Sequence, residues 1–345
     1  MKNKIKIATL VLTRRCNLQC DYCRFSGDID YIIKPKEYPD SKYFYENEKP
    51  ASYWINITNK LMAHNPDIFF ILFGGEPFLY KGLSDLVIHL NAKNANYTII
   101  SNSTPELEDI MTEFFLKVGK IKNGYTASVD PGFWIAEGTS DHELYKSCNG
   151  FELLKRMIQN NLANDPVAEI TVDGYNIRLL EETVKRITDC GICSDITVLD
   201  ISKSNYYDFS AITNPKLLVE QNDENKRIFD NLINSNYNIH MKEILLPKIY
   251  NILPANLDCG LGIGNLHNVT IECDGTMRLC GRIRGRDVPK FTAEYDLVED
   301  DGRDADTKAD LELCIQGEKS VLCHGCAHTC QLMSMEDKSN NIINH

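Results

Sequence analysis

Short apolar runs alternate with longer amphipathic stretches through the first two thirds of the chain. The apolar runs predict β-strands at Ile5–Leu12, Ile68–Phe73, Tyr97–Ser101, Tyr125–Val129, Ala168–Val172 and Ile196–Ile201. The amphipathic stretches predict helices at Ala51–His64, Gly82–Asn91, Glu106–Val118, Ser147–Asn161, Arg178–Cys190 and Asp223–Asn234. Strands that alternate with helices in this way predict parallel strands covered by helices, in an open or closed α/β barrel.

Two segments interrupt this alternation. Phe25–Lys49 is rich in Tyr, Pro, Lys and Asp and predicts a long loop, either covering a site at the strand ends or forming a solvated insertion without function. After Leu246 the alternation stops, and Gly, Cys and short β-type stretches dominate to about Cys330. We therefore expect a core domain over residues 1–245, a small Cys-rich domain over 246–335 and a disordered polar tail over 336–345.

Composition and charge exclude several classes of protein. The content of 43% hydrophobic and 25% charged residues is typical of a soluble globular protein. The sequence has no run of eighteen apolar residues, so we expect no transmembrane helix. The first residues begin like a signal peptide, but the apolar stretch is short and alternating, so it predicts a buried strand. A net charge of −12 argues against nucleic acid as a partner. We expect a cytoplasmic protein with neither a nucleic-acid nor a membrane partner.

The chain has thirteen cysteines, an odd number, and ten of them lie in two groups. One group lies near residue 20 and the other between residues 259 and 330. Disulfide-stabilised secreted domains are usually short chains with paired cysteines spread along them. The grouping therefore indicates metal ligands in a reducing cytoplasm.

The first group, Cys16, Cys20 and Cys23, follows the first predicted strand with the spacing CxxxCxxC. Three thiolates at this spacing can converge on one iron–sulfur cluster. In a [4Fe–4S] cluster, three protein ligands leave one iron free to bind a substrate or cofactor. A zinc site would more often supply four ligands close together.

This motif, with aromatic Tyr22 before the last cysteine, resembles the CxxxCxΦC signature of the radical S-adenosylmethionine (SAM) superfamily. The resemblance implies a [4Fe–4S] cluster that passes one electron to SAM, and a 5′-deoxyadenosyl radical that abstracts hydrogen from a substrate. It also places Tyr22 near the adenine. Residues 5 to about 205 carry the resemblance, which implies a partial (βα)6 barrel.

Three further motifs at strand ends match the family. Gly74-Gly75-Glu76-Pro77 resembles its GGE motif, which implies that the backbone and Glu76 hold the methionine amino group. The polar pair Ser101 and Asn102 ends the third predicted strand, where relatives contact ribose or carboxylate. Ser128 and Asp130 resemble an SxDG motif in which Pro131 replaces the glycine. Polar residues at strand ends are also common caps.

The second cysteine group surrounds a predicted hairpin, Asn268–Cys280, which turns at Asp274-Gly275 and would bring Cys280 beside Cys259. This layout resembles the SPASM and twitch auxiliary-cluster domains. The tail CxxCxxxC is shorter than a full SPASM run and fits a twitch-like domain with one [4Fe–4S] cluster better. The resemblance implies the following ligands: Cys259, Cys280, Cys323 and either Cys326 or Cys330.

Several alternatives remain open for these cysteines. Seven could hold two clusters, and a structural zinc is an alternative because CxxC is a common zinc half-site. Cys273 and Cys314 are ligands, hydrogen donors or structural thiols. The further pair Cys190 and Cys193, and also Cys148, are expected to be buried core thiols.

The resemblance favours an enzyme that modifies a ribosomally made peptide by thioether formation, carbon–carbon crosslinking or epimerisation. The alternative is a dehydrogenase, or related radical chemistry, on a small metabolite. A non-catalytic electron-transfer protein is a third hypothesis, against which the three-cysteine site and GGEP argue. We expect a peptide or small-molecule substrate, and an external electron donor such as flavodoxin or ferredoxin. Because the signature begins at residue 16, we expect no room for an N-terminal leader-binding domain.

Overall fold

A computed structural model describes residues 5–18, 20, 46–135, 149–198, 219–220, 222–240, 242, 268–278 and 291–292. The strands are β1 (Ile7–Val11), β2 (Phe69–Phe73), β3 (Asn96–Ser101), β4 (Ile121–Ser128), β5 (Ala163–Val172), β6 (Cys193–Val198), β7 (Asn268–Ile271), β8 (Thr276–Arg278) and β9 (Phe291–Thr292). The α-helices are α1 (Ala51–His64), α2 (Leu83–Lys93), α3 (Glu108–Val118), α4 (Phe151–Gln159), α5 (Leu180–Asp189) and α6 (Asp223–Asn234). Within these residues, no helix is long and apolar enough to span a membrane.

The described strands form one sheet in the order β6-β5-β4-β3-β2-β1-β7-β8-β9. Strands β1 to β6 pair in parallel along the chain, as the alternating pattern predicts. β7 adds a seventh parallel strand on the other side of β1, with Ile7 opposite Asn268, and β8 and β9 continue antiparallel. The architecture is a parallel α/β half-barrel, and the predicted barrel of strand–helix units is confirmed.

Side-chain alternation gives the sheet two different faces. On β2, Phe70 and Leu72 are fully buried against the helices, whereas Phe69, Ile71 and Phe73 point to the opposite face and are partly buried. Burying the apolar residues on the first of these faces of β1–β6 against the helices supplies the main stabilising term of the fold. The opposite face carries polar side chains of β4 to β6, such as Thr126, Glu169 and Asp195.

β4 and β5 are longer than their apolar runs predict. β4 begins at Ile121 and β5 at Ala163, and the added residues include polar Asn164 and Asp165, which are exposed. These positions join the sheet through backbone pairing, in the register Ile121 opposite Ala163 and Gly124 opposite Asp165. Because this pairing needs no apolar side chain, hydrophobic periodicity does not detect it.

The predicted hairpin is present as β7 and β8, and Gly275 in the turn has a φ of 86° that favours glycine. Its strand β7 extends the half-barrel sheet. Apart from β9, the rest of the predicted Cys-rich domain lies outside the described residues, including its cysteines at 259, 280, 314, 323, 326 and 330, as does the tail over 336–345.

A buried ion pair joins the hairpin to the segment that follows β1. We call this segment the cysteine loop, and its described residues are 13–18 and 20. The Glu272 Oε2 atom, just after β7, accepts hydrogen bonds from Arg14 Nη2 at 2.6 Å and Nε at 3.1 Å. Both side chains are almost fully buried, at 2% and 1% exposure. Nearby, the Lys49 amide donates to the Cys273 carbonyl at 2.8 Å. The hairpin therefore holds the start of the cysteine loop from the side opposite β2.

Removing one partner of this pair should destabilise the protein strongly. We expect Glu272→Ala to lower the free energy of unfolding by about 3–5 kcal/mol, since it leaves the Arg14 guanidinium buried without this carboxylate. Glu108→Ala, which breaks the half-exposed Glu108–Arg156 pair, is the matched control and should cost less than about 1 kcal/mol. Urea unfolding followed by circular dichroism measures the stability of both variants. Equal losses in the two variants would contradict a stabilising role for the buried Arg14–Glu272 pair.

Candidate active site

The carboxyl ends of the parallel strands bring most of the predicted site residues to one edge of the sheet. Cys16 and Cys20 follow β1, Gly74–Pro77 follow β2, and Ser101 and Asn102 lie at the end of β3. Ser128 ends β4, and Asp130 comes two residues later. Tyr22 and Cys23 lie outside the described residues, so their predicted roles stay predictions.

Gly74 and Gly75 are required by contact between two loops of the chain itself. A Cβ atom on Gly74 would lie 2.5 Å from the Thr13 carbonyl oxygen, and one on Gly75 would lie 2.3 Å from that of Arg15. The amides of Gly75 and Glu76 donate to these same two carbonyls, at 2.8 and 2.7 Å. The GGEP loop thus continues the β1–β2 ladder past the strand ends and fixes the backbone that leads to Cys16.

Glu76 is fully buried, and its carboxylate is held by three donors of the chain. Oε1 accepts from the Phe78 amide and the Ser101 hydroxyl, each at 3.0 Å, and Oε2 accepts from the Asn102 amide at 2.8 Å. Burial raises the pKa of Glu76 to about 7, and these hydrogen bonds oppose the rise. A carboxylate has about four acceptor sites, so most of its capacity joins the end of β2 to the end of β3.

A ring of three polar side chains joins the cysteine loop to β3. Asn102 Nδ2 donates to Asn17 Oδ1 at 2.8 Å, Asn17 Nδ2 donates to Thr104 Oγ1 at 2.8 Å, and the Thr104 amide donates to Asn102 Oδ1 at 3.1 Å. Asn102 Nδ2 also lies 3.8 Å from Cys16 Sγ. Asn17 and Thr104 are site residues that the sequence interpretation missed. The sequence did contain a signal for them. The side-chain amide of Asn17 lies between Cys16 and Cys20, and Thr104 belongs to the polar run that follows β3.

Next to the β4 end, three carboxylates share the sheet face away from the described helices. Glu169 on β5 lies in register between Ser128 and Asp195, and buried Asp130 accepts a hydrogen bond from the Thr171 amide at 3.0 Å. Burial, with further contributions from Asp195 and Asp130, raises the pKa of Glu169 to about 8. Among the described residues, no group of three Asp, Glu, His or Cys side chains is arranged to hold a metal ion. This acidic row of Asp130, Glu169 and Asp195 concentrates negative charge on one face and favours the protonated form of Glu169.

The remaining described cysteines differ in their surroundings. Cys273 has no exposed surface, and burial raises the pKa of its thiol to about 12. Cys190 is exposed and Cys193 is partly buried, so the expectation that both are buried core thiols is wrong. Cys190 directly follows α5 and precedes Gly191, whose φ of 73° marks the end of the helix, and this turn exposes it.

The acidic row predicts a specific pH dependence. Glu169 is protonated in the folded protein up to about pH 8 but ionises near pH 4.5 when unfolded, so its contribution to the free energy of unfolding falls as the pH rises between these values. Glu169→Gln should remove this loss and gain on the order of 1–3 kcal/mol over the wild type between pH 5 and pH 8. Glu113→Gln, on the exposed face of α3, controls for the loss of one carboxylate. Urea unfolding at both pH values tests this, and a constant difference between variant and wild type would refute it.

Known proteins are similar to this chain in two ways, one by sequence and the others by fold. A 95-residue stretch of the chain is 36% identical to the sporulation killing factor maturation protein SkfB of Bacillus subtilis (strain 168), covering 27% of the chain and 19% of SkfB. The chain therefore spans about a fifth of the length of this curated relative.

Solved structures match over most of the chain. SuiB of Streptococcus suis bound to S-adenosylmethionine has a TM-score of 0.65 at 15% identity, covering 93% of this chain and 72% of SuiB. The same protein bound to precursor peptide SuiA has a TM-score of 0.64. Native anSMEcpe with bound AdoMet has a TM-score of 0.52 at 15% identity, covering 98% of this chain and all of that one. At such identities these likenesses are evidence of a shared fold.

The sequence profile described as "Radical SAM superfamily" matches residues 10–199, from β1 to just beyond β6. This range is more than half of the chain and contains every strand end at which the predicted site residues meet. Together with the half-barrel fold, the match shows that the chain belongs to the Radical SAM superfamily.

Proposed function

We propose that this protein is a radical SAM enzyme that modifies a ribosomally made peptide. One observation carries the proposal. The cysteine loop, the GGEP loop and the polar ends of β3 and β4 lie together at one edge of the half-barrel, within the residues that match the Radical SAM superfamily. When bound, a [4Fe–4S] cluster with three protein ligands supplies one electron that cleaves SAM and yields the 5′-deoxyadenosyl radical for hydrogen abstraction. Membership of the superfamily favours this enzyme over a non-catalytic electron-transfer protein.

The described part of the cysteine loop fits such a cluster. Cys16 and Cys20 lie at the sheet edge and are only partly buried. The Leu18 amide donates to Cys16 Sγ at 3.4 Å, and the Asn102 carboxamide approaches the same atom. N–H groups directed at sulfur suit a thiolate that binds metal. With Cys23, these residues would hold the cluster.

We infer that SAM lies along the same edge. The GGEP loop and the ends of β3 and β4 would line it, with Ser128 and Asp130 beyond β3 and Tyr22 close to the adenine. Gly74 and Gly75 let the GGEP loop pack directly against the backbone of residues 13–15. Glu76 sets the edge from within, because its carboxylate holds the ends of β2 and β3 together.

A peptide substrate is supported by SkfB, which is named as a maturation protein, and by SuiB, whose structure was solved bound to a precursor peptide. The cytoplasm, where such peptides are made, is the proposed location, in agreement with the grouped cysteines. An external donor such as flavodoxin or ferredoxin would supply the electron.

The test combines cofactor cleavage with peptide mass. After anaerobic cluster reconstitution, dithionite and SAM should release 5′-deoxyadenosine, and a precursor peptide encoded beside the gene should change in mass. Cys16→Ala should abolish both, because only two ligands remain. Cys190→Ala, an exposed cysteine away from the site, should retain both. Cleavage without any mass change would disprove the peptide substrate, and an intact cluster without cleavage would disprove the enzyme.

We further propose one auxiliary [4Fe–4S] cluster in a twitch-like domain, held by Cys259, Cys280, Cys323 and either Cys326 or Cys330. Its support is the hairpin β7–β8, which lies between Cys259 and Cys280 in the chain and ends two residues before Cys280. Such a hairpin would return Cys280 towards Cys259. Two auxiliary clusters or a zinc ion would give different metal contents.

Metal analysis distinguishes these arrangements. We expect about eight iron atoms per chain for two [4Fe–4S] clusters and a loss of about four in Cys259→Ala or Cys323→Ala. Cys190→Ala should keep all of them. Cys273→Ala should also keep its iron, because Cys273 is buried in the hairpin two residues after β7. Zinc in place of the lost iron, or about twelve iron atoms, would refute the single auxiliary cluster.

A further inference from the structure

We propose that Asn102 is a positioning residue that donates a hydrogen bond to the Cys16 thiolate and thereby raises the reduction potential of the SAM-cleaving cluster. The inference rests on the proposed function, since it concerns the cluster that Cys16 would hold. It differs from the sequence prediction, which gave Asn102 a direct contact with SAM.

The hydrogen bonds fix which end of the Asn102 carboxamide faces the sulfur. Asn102 Oδ1 accepts from the Thr104 amide at 3.1 Å, and a backbone amide can only donate. The oxygen therefore faces Thr104, and the Nδ2 group faces Cys16 Sγ at 3.8 Å and Asn17 Oδ1 at 2.8 Å. The amide cannot be flipped without placing Nδ2 against an N–H donor. The direction of the N–H towards sulfur thus follows from the network.

The Asn102 side chain is also held rigidly. Only 8% of the residue is exposed, and its own amide donates to the buried Glu76 carboxylate at 2.8 Å. Both polar ends of the side chain already have partners in the chain. This leaves Asn102 little capacity to bind a ligand directly, and it connects the GGEP motif to the cysteine motif through one residue.

The chemical consequence concerns charge. Reduction adds one negative charge to a cluster and its thiolates, and N–H donors to the sulfur atoms stabilise that charge, which raises the reduction potential. Only 8% of Asn102 is exposed, so its N–H donor is weakly screened by water. Cys16 receives a second described N–H from the Leu18 backbone, and of these two donors the Asn102 side chain is the one that a side-chain substitution removes.

Two nearly isosteric substitutions separate the donor from the ring. Asn102→Leu removes the N–H to sulfur without adding charge. Thr104→Val removes the Oγ1 acceptor of the ring but keeps the Thr104 amide and the Asn102 carboxamide, so it is the matched control. Neither change alters a predicted cluster ligand.

The readout is an anaerobic redox titration of the reconstituted full chain, followed by electron paramagnetic resonance. The relevant cluster is identified by the change of its signal when SAM is added. At the wild-type midpoint potential, Asn102→Leu should show about a threefold lower ratio of reduced to oxidised cluster, whereas Thr104→Val should match the wild type. An unchanged ratio in Asn102→Leu, with full iron content, would overturn the inference.

If Asn102→Leu does not retain iron, the smaller Asn102→Ala decides the question, since it also removes the donor without adding charge. A lower midpoint potential in Asn102→Ala supports the inference, and an unchanged one overturns it. Loss of iron from both Asn102 variants supports a positioning role if Thr104→Val keeps its iron, and overturns it if Thr104→Val loses iron equally. Failure of the proposed function is distinct, because the wild-type signal would then not respond to SAM.

Discussion

The buried carboxylate of Glu76 is the interaction on which the geometry of the site depends. Removing a carboxylate from water is unfavourable, and three hydrogen bonds from the ends of β2 and β3 offset that cost. In return the two strand ends are held at a fixed spacing. Asn102 takes its position from this contact, and the cysteine loop takes part of its position from Asn102.

A second constraint acts on the same loop from the backbone. Gly74 and Gly75 lie so close to residues 13–15 that a side chain at either position would overlap a carbonyl oxygen. The loop is therefore enclosed by β2 on one side, by the Asn17–Thr104 contact above β3, and by Glu272 on the side of β7. Three separate elements define its path, which suits a site that must hold a cofactor in one orientation.

The sequence predicted the parts of the fold that have a local signature. Apolar runs marked six parallel strands, α1 and α6 begin and end where their periodicity does, and Asp274-Gly275 marked a turn. The pairing of β7 with β1 was not predictable, because residues 7 and 268 carry no local sign of each other. The Glu76 contacts escaped prediction for the same reason: a GGE motif gives the residue type but not which atoms it meets. The exposed position of Cys190 depended on a helix ending one residue earlier than its periodicity indicated.

The β1–β7 pairing also governs how the chain can reach its folded state. Two adjacent strands of the sheet come from opposite ends of the described sequence, and this long-range pairing raises the contact order of the fold, which slows folding. During synthesis, β1 must wait for more than two hundred residues before its second neighbour exists, and one of its edges is unpaired until then. Chimeras that exchange the C-terminal region at residue 199 would separate β1 from that neighbour. A working exchange must carry the hairpin together with the barrel that it completes.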